Sequence, residues 1–163
     1  MIEGSRAWQG AFPQTFFAVL AIEGIENGPV LGEMEARKGA LEEKLRQLWQ
    51  GKTRKDLKAD SPCGAYESHY RRFGQGYPVL AQVELVALKG KPIASVSPLV
   101  TALFMAELES GLLTAGRDLD RVALPLRLDV ATGEEAYRNL GGQERLLRVV
   151  SPGTATTALT ILP

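Results

Sequence analysis

Two pairs of carboxylates stand at spacings that suit acid and base chemistry. Asp118 and Asp120 are separated by one residue, and Glu134 and Glu135 are adjacent. Either pair can place a proton donor and a proton acceptor in one cleft. Each also has a structural alternative, because Asp118 can cap a turn and Glu134 can lie on a solvated loop. Both roles stay open at the level of sequence.

The chain has one cysteine and one histidine, Cys63 and His69. Their separation of six residues lacks the spacing of zinc ligands, so we expect no metal. A Cys–His nucleophile pair is the sharper hypothesis. No cysteine-hydrolase signature surrounds them, and a buried thiol is the favoured alternative. A lone cysteine also excludes an internal disulfide.

A basic and aromatic cluster offers an RNA contact. His69, Arg71 and Arg72 lie among four aromatic residues, which are Tyr66, Tyr70, Phe73 and Tyr77. Such rings can stack bases, or they can anchor a short helix to the core. The chain carries 19 basic and 19 acidic residues, so no global field attracts a polyanion, and DNA is not an expected partner.

Composition narrows the class of protein. An apolar fraction of 45% and a charged fraction of 23% in 163 residues predict a single globular domain, residues 1–163. No phosphate-binding loop or dinucleotide fingerprint is present, so we expect no cofactor. The apolar runs are shorter than the roughly 20 residues of a membrane span. With no signal-peptide pattern at the start, we expect a cytoplasmic protein and no membrane partner.

Strand patterns lie toward both ends of the chain. Residues 15–22 are apolar at both odd and even positions, which predicts a strand buried on both faces. Residues 124–130 alternate, with Leu126 and Leu128 on one side and Arg127 on the other, as in a half-buried strand. Residues 145–150 and 154–162 predict two further strands. Strands at both ends with helices between them predict an α+β fold.

Helical patterns fill the middle of the chain. Residues 30–50 form an amphipathic pattern with a stripe of Met34, Leu41, Leu45, Leu48 and Trp49, stopped by Gly51. Residues 52–64 predict a surface connection. A short helix is expected over residues 65–73, and another from Pro78 to Gly90. The run after Pro98 is apolar nearly all round, which predicts a buried helix ending before Gly111.

An ordered series of motifs extends through the second half of the chain. It comprises the helix of residues 99–108, Asp118-Leu119-Asp120, Leu126-Arg127-Leu128, Ala131, Gly133-Glu134, Leu140-Gly141-Gly142 and Glu144-Arg145-Leu146-Leu147. Four earlier segments belong to the same ordered series: Phe12-Pro13, Gly24-Ile25-Glu26-Asn27, Tyr70-Arg71-Arg72-Phe73-Gly74 and Leu88-Lys89-Gly90-Lys91-Pro92-Ile93. In order and spacing the chain resembles the B3/B4 editing domain of the phenylalanyl-tRNA synthetase beta subunit and its free-standing relatives.

The resemblance implies a pocket that accepts the misattached amino acid of a tRNA and hydrolyses the ester without a metal. By position it places Ser97, Thr101, Glu107 and Ser110 near that pocket. The matching motifs add Asp118, Asp120, Arg127 and Glu134. An aminoacyl-tRNA or a small amino-acid-like ligand is the expected partner, with the catalytic residues and the oligomeric state left open.

The helix departs from the family pattern. Family members place a Val-Asp and then an Asn there, whereas Thr101 follows Val100 and no Asn occurs from Ser97 to Leu113. The family's later glycine-pair-plus-glutamate segment also has no counterpart in residues 151–157. These departures motivate the alternative of a non-catalytic module that binds an amino-acid-like ligand or a protein partner. A third hypothesis is an oligomerising subunit of a larger complex, with Trp8, Trp49 and the apolar C-terminal strand at an interface.

Overall fold

The computed structural model describes residues 2–14, 18–25, 27–29, 32–121, 125–138 and 142–146, and the backbone of residues 157–161. The helices are α1 (Arg6–Ala11), α2 (Gly32–Leu48), α3 (Arg54–Ala59), α4 (Cys63–Arg71), α5 (Pro78–Val83) and α6 (Pro98–Ser110). A π-helical turn, Glu84–Leu88, continues α5, and Leu119–Arg121 forms a 3₁₀ turn. The strands are β1 (Ile2–Gly4), β2 (Leu126–Val130), β3 (Ala136–Arg138), β4 (Glu144–Leu146) and β5 (Thr157–Ile161).

The fold class is α+β, as predicted. Contacts divide the chain into two compact units. We call Gly24–Gly116 the helical unit, and Met1–Glu23 with Arg117–Pro163 the strand unit. The single domain of residues 1–163 stays a prediction.

The helical unit encloses the larger core. Leu57, Val79 and Leu80 are fully buried, and Tyr77 is 1% exposed. The helix predicted from Pro78 to Gly90 begins at Pro78. On its apolar face Val79, Leu80, Val83 and Val86 are buried, whereas Ala87 is half-buried. Gly51 and Gly111 end α2 and α6 with φ of 71° and 70°, a conformation that favours glycine.

Three predictions in the helical unit need correction. Residues 52–64 are not only a surface connection, because Thr53 and Asp56 form a capping box that starts α3. That helix inserts Leu57 into the core. In α2, Leu48 is 64% exposed while Glu42, expected to face solvent, is 8% exposed. The stripe shifts because Glu42 accepts a hydrogen bond from the Ile93 N–H at 2.8 Å and thereby faces inward.

The third correction concerns α6, which is a helix as predicted but is not buried all round. Thr101, Glu107 and Leu108 are buried, whereas Leu99 is 39% exposed. The helix packs against α2 and α5 within its own unit. Burial therefore follows the side that meets those neighbours and not the uniform apolar composition.

The strand unit is built on a three-stranded sheet in the order β1-β2-β5. β2 pairs parallel to β1, with Leu126 opposite Ile2, and antiparallel to β5, with Leu126 opposite Ile161. The alternation of β2 is confirmed, because Leu126 and Leu128 are buried and Arg127 is exposed. β3 and β4 form a separate antiparallel pair, with Tyr137 opposite Arg145. Of the two predicted C-terminal strands, the described parts are β4 and β5.

The buried strand predicted over residues 15–22 is wrong where the structure describes it. Residues 18–23 form no strand, and Val19, Leu20 and Ile22 are 59%, 83% and 55% exposed. A strand needs a partner backbone to satisfy its N–H and C=O groups, and none of the described strands pairs with this segment. Residues 15–17 lie outside the described part of the chain, as do Leu124, residues 139–141 and residues 147–156.

Candidate functional site

Helix α6 carries four of the predicted pocket residues, and its ends are set by Pro98 in the first turn and Gly111 after the last. Thr101 is 0% exposed, and its Oγ1 lies 3.4 Å from the Val96 N–H that points to it. Ser97 precedes the helix, is half-buried and makes no capping bond with its side chain. Of the hydroxyls at positions 97, 101 and 110, that of Ser97 alone combines partial exposure with no hydrogen bond to any residue that the structure describes.

At the other end of α6, the polar groups of Glu107 and Ser110 are hydrogen-bonded within the chain. Glu107 is 5% exposed, and its Oε1 accepts hydrogen bonds from Thr114, from N–H at 2.8 Å and from Oγ1 at 2.9 Å. The Ser110 hydroxyl donates to the Ala106 carbonyl at 2.6 Å and accepts from the Leu112 N–H at 3.2 Å. Because Ser97 and Ser110 are 13 residues apart, they lie about 20 Å apart along the axis. The four residues therefore do not converge on one small pocket.

The remaining pocket candidates belong to the strand unit and act locally there. Asp118 Oδ1 accepts from the Asp120 N–H at 3.1 Å, and Asp118 Oδ2 lies 3.4 Å from Arg121 Nε. This is the turn-capping alternative for the first carboxylate pair. Arg127 pairs with Asp129 at 3.3 Å. Asp118 and Arg127 thus each have a charged neighbour on their own segment, and Asp120 contributes its backbone N–H to the turn.

The two glutamates of the second carboxylate pair differ in their exposure and in their hydrogen bonds. Glu134 is exposed. Glu135 accepts hydrogen bonds from the N–H groups of Thr132 and Gly133 at 2.8 and 3.0 Å. Those bonds, first the one from the Thr132 backbone, lower the pKa of Glu135 to about 2. Glu135 is thus ionised and holds its loop through these hydrogen bonds, which does not fit the role of a proton donor.

The RNA-contact candidates surround the end of α4. His69 and Arg72 are exposed, while Arg71 lies 3.3 Å from the carboxylate of Glu67. The Tyr66 and Tyr77 rings are stacked with centroids 4.7 Å apart, and Tyr70 contacts Tyr77 at 5.5 Å. Because Tyr77 is fully buried, these tyrosines anchor α4 to the core, as the structural alternative held. The His69 ring instead lies 5.2 Å from that of Phe73 at the surface.

Cys63 and His69 do not form a nucleophile pair. They lie on one helix six residues apart, which is about 9 Å along its axis and on different faces. Cys63 is 5% exposed, and burial raises the pKa of its thiol. The favoured alternative, a buried thiol, is what the structure shows. Among the described residues, no three His, Cys, Asp or Glu side chains gather as a metal site requires.

Buried glutamates are the feature that the sequence did not reveal. Glu42, Glu67, Glu84 and Glu107 are each 5 to 9% exposed. Glu67 accepts from the Tyr77 N–H at 3.0 Å and pairs with Lys58 at 3.0 Å. Glu84 pairs with Lys89 at 2.8 Å and with Arg54. The only available sequence signal was their position one turn away from core residues, which also fits an exposed glutamate.

A groove in the helical unit was likewise not predicted. It has a volume of about 210 Å³ and lies between the π-helical turn, residues 91–94 and α6. Its lining is mainly apolar and includes Leu85, Val86, Pro92, Ile93, Phe104 and Leu108. Gln82 and Lys91 are the lining residues with polar side chains. It therefore meets α6 through Phe104 and Leu108 and through none of the predicted pocket residues.

Comparison with known proteins adds no relative. No family model matches the sequence, and neither the curated proteins nor the solved structures contain a match. Within the described residues, no helix combines the length and the apolar character that crossing a bilayer requires.

Proposed function

We propose that this protein is a relative of the synthetase editing domain that binds an aminoacyl-tRNA or an amino-acid-like ligand and does not hydrolyse it. The family side of the proposal rests on the ordered motifs of residues 97–147. A helix, a turn holding Asp118 and Asp120, an arginine-bearing strand and a short hairpin follow one another in that order. This succession supports the proposal.

The binding side rests on one observation, the internal use of the polar groups on α6. Hydrolysis needs a positioned water with a base or a hydroxyl near the ester carbonyl. Thr101 and Glu107 are buried, and Glu107 is occupied by Thr114. Ser110 is bonded on both sides. Of the predicted pocket residues on this helix, Thr101 and Glu107 are thus inaccessible, and the exposed Ser110 hydroxyl is already bonded to Ala106 and Leu112. The half-buried Ser97 before the helix can still contact a ligand.

Binding and hydrolysis are separated by one experiment on the full chain. A tRNA carrying a mismatched amino acid is incubated with excess protein, and complex formation and ester survival are followed together. We expect a complex in which the ester decays at the buffer rate. Ester loss faster than in buffer would replace binding by hydrolysis, and no complex with any charged tRNA would remove the family-based proposal.

A pair of variants locates the RNA contact. Arg72 is exposed and has no ion pair among the described residues, so Arg72→Ala removes one cation without disturbing a structural bond. Losing one phosphate contact should reduce the slope of log affinity against log salt by about 0.7 to 0.9. Lys55→Ala, at an exposed position of α3, is the matched control and should leave the slope unchanged. Equal slopes for both variants and the unmodified protein would exclude Arg72 as a contact.

A further inference from the structure

The groove beside the π-helical turn is half-open and mainly apolar. π-helical turns are rare and are frequently found at functional sites. Here the turn Glu84–Leu88 directs Leu85 and Val86 toward the groove, and α6 closes the opposite side with Phe104 and Leu108. Leu85 remains 44% exposed. An apolar wall with one large exposed side chain is therefore in place for a ligand.

The volume limits what fits. A groove of about 210 Å³ holds about seven waters at about 30 Å³ each. It is smaller than the roughly 300 to 1,000 Å³ of pockets for drug-sized ligands. A single aromatic ring or branched chain with one short polar group matches this space. A nucleotide does not.

The charge of the residues that line the groove determines which polar group a ligand should carry. Lys91 is exposed and forms no ion pair with any described residue, whereas its neighbour Lys89 is paired with Glu84. The described lining residues include one cation and no carboxylate. An anionic ligand would thus gain a partner, and a ligand ammonium group would meet a like charge without one.

The geometry points to a binding site for an apolar monocarboxylate, with its carboxylate at Lys91 and its apolar body against Leu85 and Phe104. Such a ligand differs from an amino acid, since a zwitterion would place its ammonium group beside Lys91. The inference goes beyond the proposed function, because the groove does not include Ser97 or the exposed end of α4. Either can fail without the other.

The test is a titration of the isotope-labelled full chain followed by amide NMR. 3-Phenylpropanoate is the probe, phenylalanine adds the ammonium group, and 2-phenylethylamine replaces the carboxylate by an amine. We expect 3-phenylpropanoate to shift the amides of Leu85, Ile93 and Phe104 at the lowest concentration and the amine to shift them least. Equal shifts with the amine, or none at those amides with any probe, would overturn the proposal.

Variants separate charge from shape. Lys91→Ala should weaken binding of 3-phenylpropanoate about two- to fivefold, the range for an exposed ion pair. Lys55→Ala is the control for a change in overall charge and should bind as the unmodified chain does. Leu85→Ala removes a half-exposed apolar contact and should also weaken binding. Unchanged affinity in both Lys91→Ala and Leu85→Ala would contradict the assignment, and preserved amide spectra show that each variant is folded.

Discussion

The helical unit and the strand unit use acidic residues in different ways. In the helical unit, Glu42, Glu67 and Glu107 are buried and each accepts a hydrogen bond from a backbone N–H outside the helices, at Ile93, Tyr77 and Thr114. In the strand unit, Asp129 and Glu135 are partly exposed and bond residues close to them or on the adjoining N-terminal segment.

The difference teaches that burial decides what a carboxylate can do in this chain. A buried carboxylate needs hydrogen-bond or ion-pair partners, because burying an ionised carboxylate without them carries a large free-energy penalty. The glutamates of the helical unit are therefore committed to holding loops against helices. Asp129 and Glu135 of the strand unit keep access to water, and the hydrogen bonds that they accept lower their pKa values.

The most damaging change should fall on the core of the helical unit. Leu57 is 0% exposed, and Leu57→Ala should lower the free energy of unfolding by about 2 to 5 kcal/mol because it leaves a cavity. Urea unfolding measures this change. Leu48→Ala in α2, at a residue 64% exposed, is the matched control and should change it by about 0.5 kcal/mol or less. Equal losses would remove the distinction drawn between the two leucines.

Removing a buried carboxylate should come next. Glu67→Ala leaves the buried Tyr77 N–H without an acceptor and Lys58 without its partner, which should cost about 1 to 3 kcal/mol of unfolding free energy. Glu43→Ala removes an exposed glutamate that, among the described residues, accepts a side-chain hydrogen bond from Gln47 alone, and it serves as the control. A loss no larger than the control's would mean that Glu67 is not a structural tie.

The contribution of Glu67 should depend on pH in a defined direction. The Tyr77 N–H, more than any other group, lowers the pKa of Glu67. A carboxylate with a lowered folded pKa stabilises the protein above its unfolded pKa of about 4.3 and loses that effect as the pH falls through the folded pKa. The difference in unfolding free energy between the unmodified chain and Glu67→Gln should therefore shrink below about pH 4. A difference that stays constant to lower pH would contradict the lowered pKa.

The smallest effect is expected in the strand unit. The carboxylate of Glu135 should titrate with a pKa of about 2, chiefly because it accepts a hydrogen bond from the Thr132 N–H. Carboxyl ¹³C chemical shifts followed against pH measure this directly. Thr132→Val removes the hydroxyl but keeps the backbone donor, so the pKa should rise only partly toward its ordinary value. A pKa near 4.3 in the unmodified chain would show that the loop does not hold this carboxylate.

Sequence periodicity recovers much of the helical unit. The starts at Pro78 and Pro98, the stops at Gly51 and Gly111, and the buried stripe from Val79 to Val86 were all predictable, because each depends on local chemistry. β2 was predictable for the same reason. The strand predicted over residues 15–22 is wrong in its described part, residues 18–22, and shows the limit, since strand formation depends on a partner elsewhere in the chain.

The candidate sites were less predictable. The inward turn of Glu42 depends on an N–H 51 residues away, and the groove depends on a π-helical turn that no residue pattern indicates. The carboxylate pair Asp118 and Asp120 was correctly given a turn-capping alternative, because that bond is local. The observed roles differ from the predicted ones where they depend on contacts between residues that are far apart in the sequence.

Native-state amide hydrogen exchange tests most directly whether buried glutamates tie the loops of the helical unit. The N–H groups of Tyr77, Ile93 and Thr114 donate to Glu67, Glu42 and Glu107. We predict that each exchanges far more slowly than its neighbour at Gly76, Ala94 or Ala115, because a buried bond must open before exchange. Exchange of all three at the rates of these neighbours would contradict the account.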